Sequence, residues 1–321
     1  MNLEPILIVA GEPNSVFLEI FFKSIKNKKY KSPLIIIVSK RLLLKQMKIL
    51  GFNFKINLIN KDYLSLKDLN NKKINLLDVN YHFKNTFEKI SKNSNNYITE
   101  CFNVALKILK KNKFSKMING PISKRTFLQE RYLGVTEYLA SKTGRKDKVA
   151  MLIYNPKLSV SPITTHLPLK DVSKKISKLK IINNIVLINN FYLKVLKKTP
   201  KIAITGLNPH CESNFKTSEE KKIIIPAIKN LIKKKYNVSG PFAADTIFMN
   251  DHVKKFDVII GMYHDQVLTP AKTLFGFNAI NITLGLPFTR ISPDHGPNSS
   301  MLGKNLSNPA SLIEALKFLD K

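Results

Sequence analysis

The sequence predicts an α/β fold in two domains, on three observations. Short apolar, β-branched runs alternate with stretches of helical spacing along the chain, the order of strands and helices that builds a layered sheet. A length of 321 residues, 44% of them hydrophobic, suits two cores of ordinary size better than one. Three histidines, His166, His210 and His264, each stand just past an apolar run, at the edge where open α/β sheets bind ligands.

Strands are expected over residues 6–10, 33–38, 117–119, 149–153, 159–164, 201–205, 257–261 and 278–283. Between residues 99 and 113, Phe102, Ala105, Leu106 and Leu109 follow helical spacing, with Thr99 as the expected N-cap. Another helix is expected to begin at Ser218, where Glu219 and Glu220 put negative charge into the first turn. No repeat, Gly/Ser linker or low-complexity tail marks a domain boundary.

Composition narrows the function. The formal charge of +31 comes from 53 basic against 22 acidic residues. Five of the basic residues are arginines (Arg41, Arg125, Arg131, Arg145, Arg290) and 48 are lysines. The lysines are interleaved with Asn and Ile rather than gathered with aromatics, so the forks and stacking platforms of base recognition are missing and no nucleic-acid partner is expected. The excess reads as the bias an A+T-rich genome produces, laid on solvated helix faces. Its field still draws small anions, which favours a phosphorylated small-molecule substrate over a neutral one. Two cysteines, Cys101 and Cys211, give no disulfide framework and fit a reducing compartment. The N-terminus lacks the basic and apolar regions of an export signal, and no apolar run approaches the roughly 20 residues of a membrane helix. The expectation is a cytoplasmic protein without a membrane partner.

The histidine-bearing runs are LSVSPITTH (158–166), KIAITGLNPH (201–210) and DVIIGMYHD (257–265). Three imidazoles brought to one sheet edge can bind a divalent metal and leave positions open for water or substrate. The plainer alternative makes each a polar residue at a strand end. Three with the same local pattern favour the metal site.

Seven blocks carry a resemblance: GPISK (120–124), TEYLA (136–140), TTHLPLKDV (164–172), GLNPH (206–210), GPFAADTIF (240–248), YHDQ (263–266) and NITLGLPFTRISPDHG (281–296). In this order, over nearly the whole chain, they resemble the 4-hydroxythreonine-4-phosphate dehydrogenase family of vitamin B6 synthesis. The segment 295–311 is also similar to the nucleotide-binding stretch of the related isocitrate and isopropylmalate dehydrogenases. The resemblance implies two α/β/α domains with the active-site cleft between them, residues 1–125 plus 285–321 on the nucleotide side and 126–284 on the metal and substrate side. The nucleotide site of that wider group is not a standard Rossmann one, so the absence of GxGxxG does not count against a dehydrogenase.

The resemblance further implies NAD-dependent oxidation of 4-phosphooxy-L-threonine at C3, with NADP as the other candidate cofactor, then metal-assisted decarboxylation to 3-amino-2-oxopropyl phosphate, in pyridoxal phosphate biosynthesis. His166, His210 and His264 match the family's ligands for one divalent metal (Zn, Mg or Co) per site, in an active site shared across a homodimer. Substrate contacts fall on Thr136, Lys272, Asn281 and Arg290. His295 and Gly296, with Asp294 beside them, fall near the adenine end of the dinucleotide. Asp245 and Asp265 either orient metal ligands or move a proton, or they cap helices and pair with lysines. His82 and His252 lie outside the blocks and are expected at the surface.

This chain departs from the family pattern in places. Val135 stands where GHTE has a substrate-contacting His. The opening loop, usually GDPAGIGPE, reads Gly11-Glu12-Pro13-Asn14-Ser15-Val16-Phe17-Leu18-Glu19, with two glycines lost. CESNFKTS replaces a Gly-rich stretch after His210, and Pro297 replaces a Ser or Thr. Two other functions therefore stay open: a paralogue acting on erythronate or threonate 4-phosphate, or a metal-dependent hydrolase or phosphate-binding protein on the same scaffold.

Overall fold

The computed structural model describes residues 3–26, 28–128, 131–211, 216–276, 279–293 and 295–320. The chain folds as two compact units, Met1–Val135 with Pro287–Lys321, and Thr136–Leu286. The first division thus falls at 135/136, in the first turn of a helix, rather than at 125/126.

The first unit opens with β1 (Ile6–Val9), α1 (Phe17–Lys26), β2 (Leu34–Val38), α2 (Lys40–Ile49), β3 (Ile56–Leu58), β4 (Ile74–Asp78), α3 (Asn95–Asn112) and β5 (Lys116–Asn119). The chain passes through α4 (Val135–Lys142) into the second unit, built from β6 (Ala150–Tyr154), β7 (Ser159–Pro162), α5 (Leu169–Lys175), α6 (Lys178–Phe191), β8 (Ile202–Thr205), α7 (Ile225–Lys233), β9 (Val238–Phe242), α8 (Asn250–Val253), β10 (Val258–Gly261), α9 (His264–Phe275) and β11 (Ile280–Leu284). It then returns to the first unit for β12 (Thr289–Pro293) and α10 (Ala310–Leu319).

Strands of the first unit lie in the order β3-β4-β2-β1-β5-β12, all parallel. In the second unit the order is β11-β6-β7-β10-β8-β9. Here β6 runs antiparallel to both neighbours, and β7, β10, β8 and β9 are mutually parallel. Strands buried on both faces read as unbroken apolar runs, which is why ILIV, LIIIV, IAIT and VIIG are fully enclosed and stand out in the sequence. The core of the second unit joins Ile153 and Val160 of adjacent strands to Ala203, Ile259, Val267 and Leu268.

Local chemistry sets the helix ends. Ser39 Oγ accepts from Leu42 N (3.4 Å) at α2, and Ser177 Oγ from Lys180 N (3.2 Å) at α6, each filling an orphan donor. Thr99 is not a cap. Helix α3 begins four residues earlier, running on from the Lys92–Ser94 turn that Ser91 opens, and the Thr99 hydroxyl donates back to Asn95 O at 2.8 Å. Ser218 does open its helix, accepting from Lys221 N at 3.4 Å. A wide turn over Glu220–Ile224 precedes α7, where Pro226 supplies no N–H for the narrower ladder.

The Gly11 loop holds its shape with one positive-φ glycine and several side chains. Gly11 has φ +78°, and a Cβ there would meet Pro121 O at 2.4 Å. Beyond it the buried Glu12 carboxylate accepts from Asn14 N (3.3 Å) and Ser94 Oγ (3.2 Å), while Ser15 Oγ donates to Glu12 O (2.7 Å). Burial pushes the Glu12 carboxyl above its usual range, partly offset by those hydrogen bonds from Asn14 and Ser94. These contacts hold the loop in shape without the two glycines of the family pattern. Gly11→Ala is expected to destabilise the protein by about 1–3 kcal/mol. An unchanged denaturant midpoint would show that the loop can move aside.

Candidate active site

Histidines 166, 210 and 264 follow β7, β8 and β10, which lie side by side as β7-β10-β8 and run parallel. All three therefore leave the sheet at its carboxyl edge. β10, last of the four parallel strands in the chain, is inserted between β7 and β8, so strand order reverses there, and such a reversal is where open sheets bind ligands.

Two of the imidazoles are already together: the His166 and His264 ring centroids are 5.5 Å apart. His264 is the first residue of α9, and its Nδ1 lies 2.7 Å from Asp265 Oδ1. An ionised carboxylate only accepts, so Nδ1 carries the proton and the Nε2 lone pair is left for a ligand. His210 stands apart. It sits in a short turn, Pro209–Cys211, with φ 57°, and its Nδ1 is 3.9 Å from Asp245 Oδ2 with both side chains mostly exposed. Cys211 follows at φ 56°. Two successive left-handed residues without glycine cost about 1–3 kcal/mol each and persist only where their surroundings impose them. Among the described residues, no three His, Cys, Asp or Glu side chains are gathered closely enough to hold a metal ion as they stand. The donor chemistry nonetheless suits a divalent cation: three imidazoles at one edge, two of them each facing a carboxylate.

The turn before His210 is tied down on two sides. Glu220, buried, accepts from Leu207 N and Asn208 N (both 2.8 Å) through Oε1 and from Asn208 Nδ2 (2.9 Å) through Oε2. Burial alone would raise this carboxyl, but the bonds from Asn208 and Leu207 outweigh it and hold it below the usual carboxylate range. On the other side Gln266 Oε1 accepts from Met262 N (2.7 Å) and Thr205 Oγ1 (3.0 Å), and its Nε2 donates to Gly206 O (2.8 Å). The exit of β7 is joined in turn to that of β10 by Thr164, whose N and Oγ1 both donate to Met262 O. Sequence reasoning took Glu220 for a first-turn charge and gave Gln266 no role.

Of the substrate candidates in this unit, Thr136 is buried in α4, with its Oγ1 3.3 Å from Thr283 Oγ1. Thr283 and Asn281 lie two apart on β11 and so share a face. Asn281 Oδ1 is buried with no hydrogen-bond partner among the described residues, an open acceptor of the kind a ligand fills. Lys272 is exposed on α9. In the first unit Arg290 lies in β12, 3% exposed, with its Nε donating to Asn119 Oδ1 at 2.6 Å. His295 stacks on Phe17 with ring centroids 6.3 Å apart, and its Nδ1 is 3.0 Å from Gly296 O. A Cβ on Gly296 would meet nothing within 4 Å, so packing within the chain does not demand glycine there. Asp294 and residues 212–215 of the CESNFKTS stretch lie outside the described residues. His82 and His252 are exposed.

Comparison with known proteins fits this architecture. The family described as "Pyridoxal phosphate biosynthetic protein PdxA" matches residues 29–319. The chain belongs to the PdxA family. A PdxA relative named 4-hydroxythreonine-4-phosphate dehydrogenase, from Sulfurihydrogenibium sp. (strain YO3AOP1), is 39% identical over 97% of this chain and 95% of its own. A protein provisionally named D-threonate 4-phosphate dehydrogenase, from Oceanobacillus iheyensis, is 32% identical over 98% of this chain and 97% of its own. The crystal structure of a 4-hydroxythreonine-4-phosphate dehydrogenase from Burkholderia phymatum superposes with a TM-score of 0.80 at 29% identity, covering 99% of this chain and 98% of that one. Isocitrate dehydrogenase from Methylococcus capsulatus, at 9% identity and a TM-score of 0.50 over 98% and 84% of the two chains, shares the fold alone. The α/β fold of isocitrate dehydrogenase type is thus the fold of this PdxA-family chain.

Proposed function

We propose that the chain is an NAD-dependent dehydrogenase that oxidises 4-phosphooxy-L-threonine at C3 and releases CO2 to give 3-amino-2-oxopropyl phosphate, within pyridoxal phosphate biosynthesis. The observation that carries this reading is the delivery of three histidines to one edge by adjacent parallel strands, in a chain whose relative from Sulfurihydrogenibium is named 4-hydroxythreonine-4-phosphate dehydrogenase. In the reaction C3 would give up a hydride and its hydroxyl a proton to a base. The β-keto acid then loses CO2, the electrons of the broken C–C bond pass toward the new carbonyl, and a proton is returned to C2. NAD, with NADP as the other candidate, supplies the hydride acceptor. A divalent cation (Zn, Mg or Co), when bound, supplies Lewis acidity that eases loss of the hydroxyl proton and polarises the carbonyl.

The chain's own residues do the holding and the proton transfer. His166, His210 and His264 would hold the cation, and Asp265 would keep His264 in the tautomer that offers Nε2. Asp245 and Asp265 are the proton carriers the edge provides. Arg290 and Lys272 take anionic ends of the substrate, Thr136 and Asn281 its hydroxyl and amino groups, with the open Asn281 Oδ1 as acceptor. His295 and Gly296 border the dinucleotide. The active form is a homodimer.

A second reading, action on D-threonate or erythronate 4-phosphate, is favoured by the Oceanobacillus relative and by Val135 at the start of α4. If the usual histidine contact is simply lost, Val135→His should tighten apparent binding of 4-phosphooxy-threonine by about 1.5–3 kcal/mol, one charge-assisted hydrogen bond. A fall in activity instead would point to a site rebuilt around Val. The deciding experiment supplies purified protein with a divalent metal, NAD and a panel of 4-phosphorylated four-carbon acids. NADH and CO2 from 4-phosphooxy-threonine are expected. NADH from another acid alone would move the assignment to the paralogue, and phosphate release without NADH would sink both.

A further inference from the structure

We infer that Glu220 and Gln266 are positioning residues that clamp the Gly206–Cys211 turn and thereby deliver His210 to the pair His166 and His264. The inference rests on the metal-binding reading above and names what fixes its third ligand. His166 and His264 come off β7 and β10, whose exits are joined through Thr164 and Met262. His210 has no such short path. Four residues separate it from the end of β8, and it lies in left-handed backbone that a non-glycine residue does not adopt unaided.

What imposes that backbone is on both sides of the turn. Gln266 binds the last residue of β8 and Gly206 with one amide while the same amide oxygen holds Met262 N, so a single side chain locks the exits of β8 and β10 in register. Glu220 then gathers two successive backbone N–H groups, Leu207 and Asn208, on one oxygen and the Asn208 amide on the other. Space requires it too: a Cβ at Gly206 would meet Cys211 Sγ at 2.6 Å and Glu220 Oε1 at 3.1 Å, so the turn folds back on itself against the carboxylate. The bonds of both side chains go to Met262 and to Thr205–Asn208 rather than to a histidine. Each acts through His210.

Cobalt(II) titration of the full-length protein, followed by its visible d–d bands, tests this separately from turnover. Glu220→Ala and Gln266→Leu should each weaken cobalt binding about tenfold or more, as loss of a ligand's supporting partner does, and shift the bands toward fewer nitrogen donors. Glu220→Gln, which keeps an oxygen for the two backbone amides, should bind nearly as the wild type does. The decisive arm is the double variant: in a His210→Ala background, Glu220→Ala should have no further effect on cobalt. Circular dichroism confirms folding, and Gln266→Leu carries the test if Glu220→Ala does not fold. Weakened binding in His210→Ala with none in Glu220→Ala or Gln266→Leu would overturn the clamp, as would an equal loss from Glu220→Ala in both backgrounds. If His210→Ala itself binds cobalt like the wild type, the metal reading fails first and the clamp falls with it.

Discussion

Replacing any one of His166, His210 and His264 by Ala is expected to abolish turnover and to weaken divalent-metal binding by about 100-fold or more, beyond the roughly 10–100-fold that follows loss of a supporting partner. The fold should survive, because none of the three is buried and each sits beyond the end of its strand. The effects should not be equal in origin. His264→Ala also leaves Asp265 without its imidazole partner, whereas His210→Ala removes a side chain that is largely exposed and relieves nothing in the core. Metal content by atomic absorption, beside kcat and a thermal melt, checks this. Full activity and full metal in any one variant would take that histidine out of the site.

Arg290→Lys is the second large effect, although it conserves charge. A guanidinium presents a planar fork and a lysine a single point, and this chain uses lysine almost everywhere else. Arg290 is enclosed within β12, where its Nε donates to Asn119. KM for the phosphorylated substrate should rise at least about tenfold, or roughly 1.4 kcal/mol, with KM for NAD little changed. A lowered Tm with unaltered KM would make Arg290 a brace between β12 and β5 and nothing more. A defect confined to NAD would assign it to the other ligand.

The legible part of this fold was the part buried on both sides. β1, β2, β8 and β10 are unbroken aliphatic runs because helices or strands cover every face, and each was read to within a residue of its ends. β3 lies at one end of the first unit's strand order and β9 at one end of the second's, the one short and the other carrying Gly240 and Pro241, and β12 ends in Pro293. Such residues spell turn rather than strand. β4 was missed although its INLLD run is as buried as the others. For the site, strand exits fixed where the histidine backbones emerge but not where the side chains go. The left-handed turn at His210 depends on Glu220, ten residues further on, and on Gln266, fifty-six residues away; no local pattern encodes either.

One outer strand of each unit also bears on how copies of the chain behave in company. An exposed outer strand is a row of unpaired donors and acceptors, ready to template another chain. In the first unit β3 is three residues long and follows Lys55, while in the second β9 carries Pro241, which offers no N–H to a newcomer. A net charge of +31 adds mutual repulsion between molecules. The lysines that say so little about chemistry thus work with these two blunted strands against edge-to-edge pairing between copies.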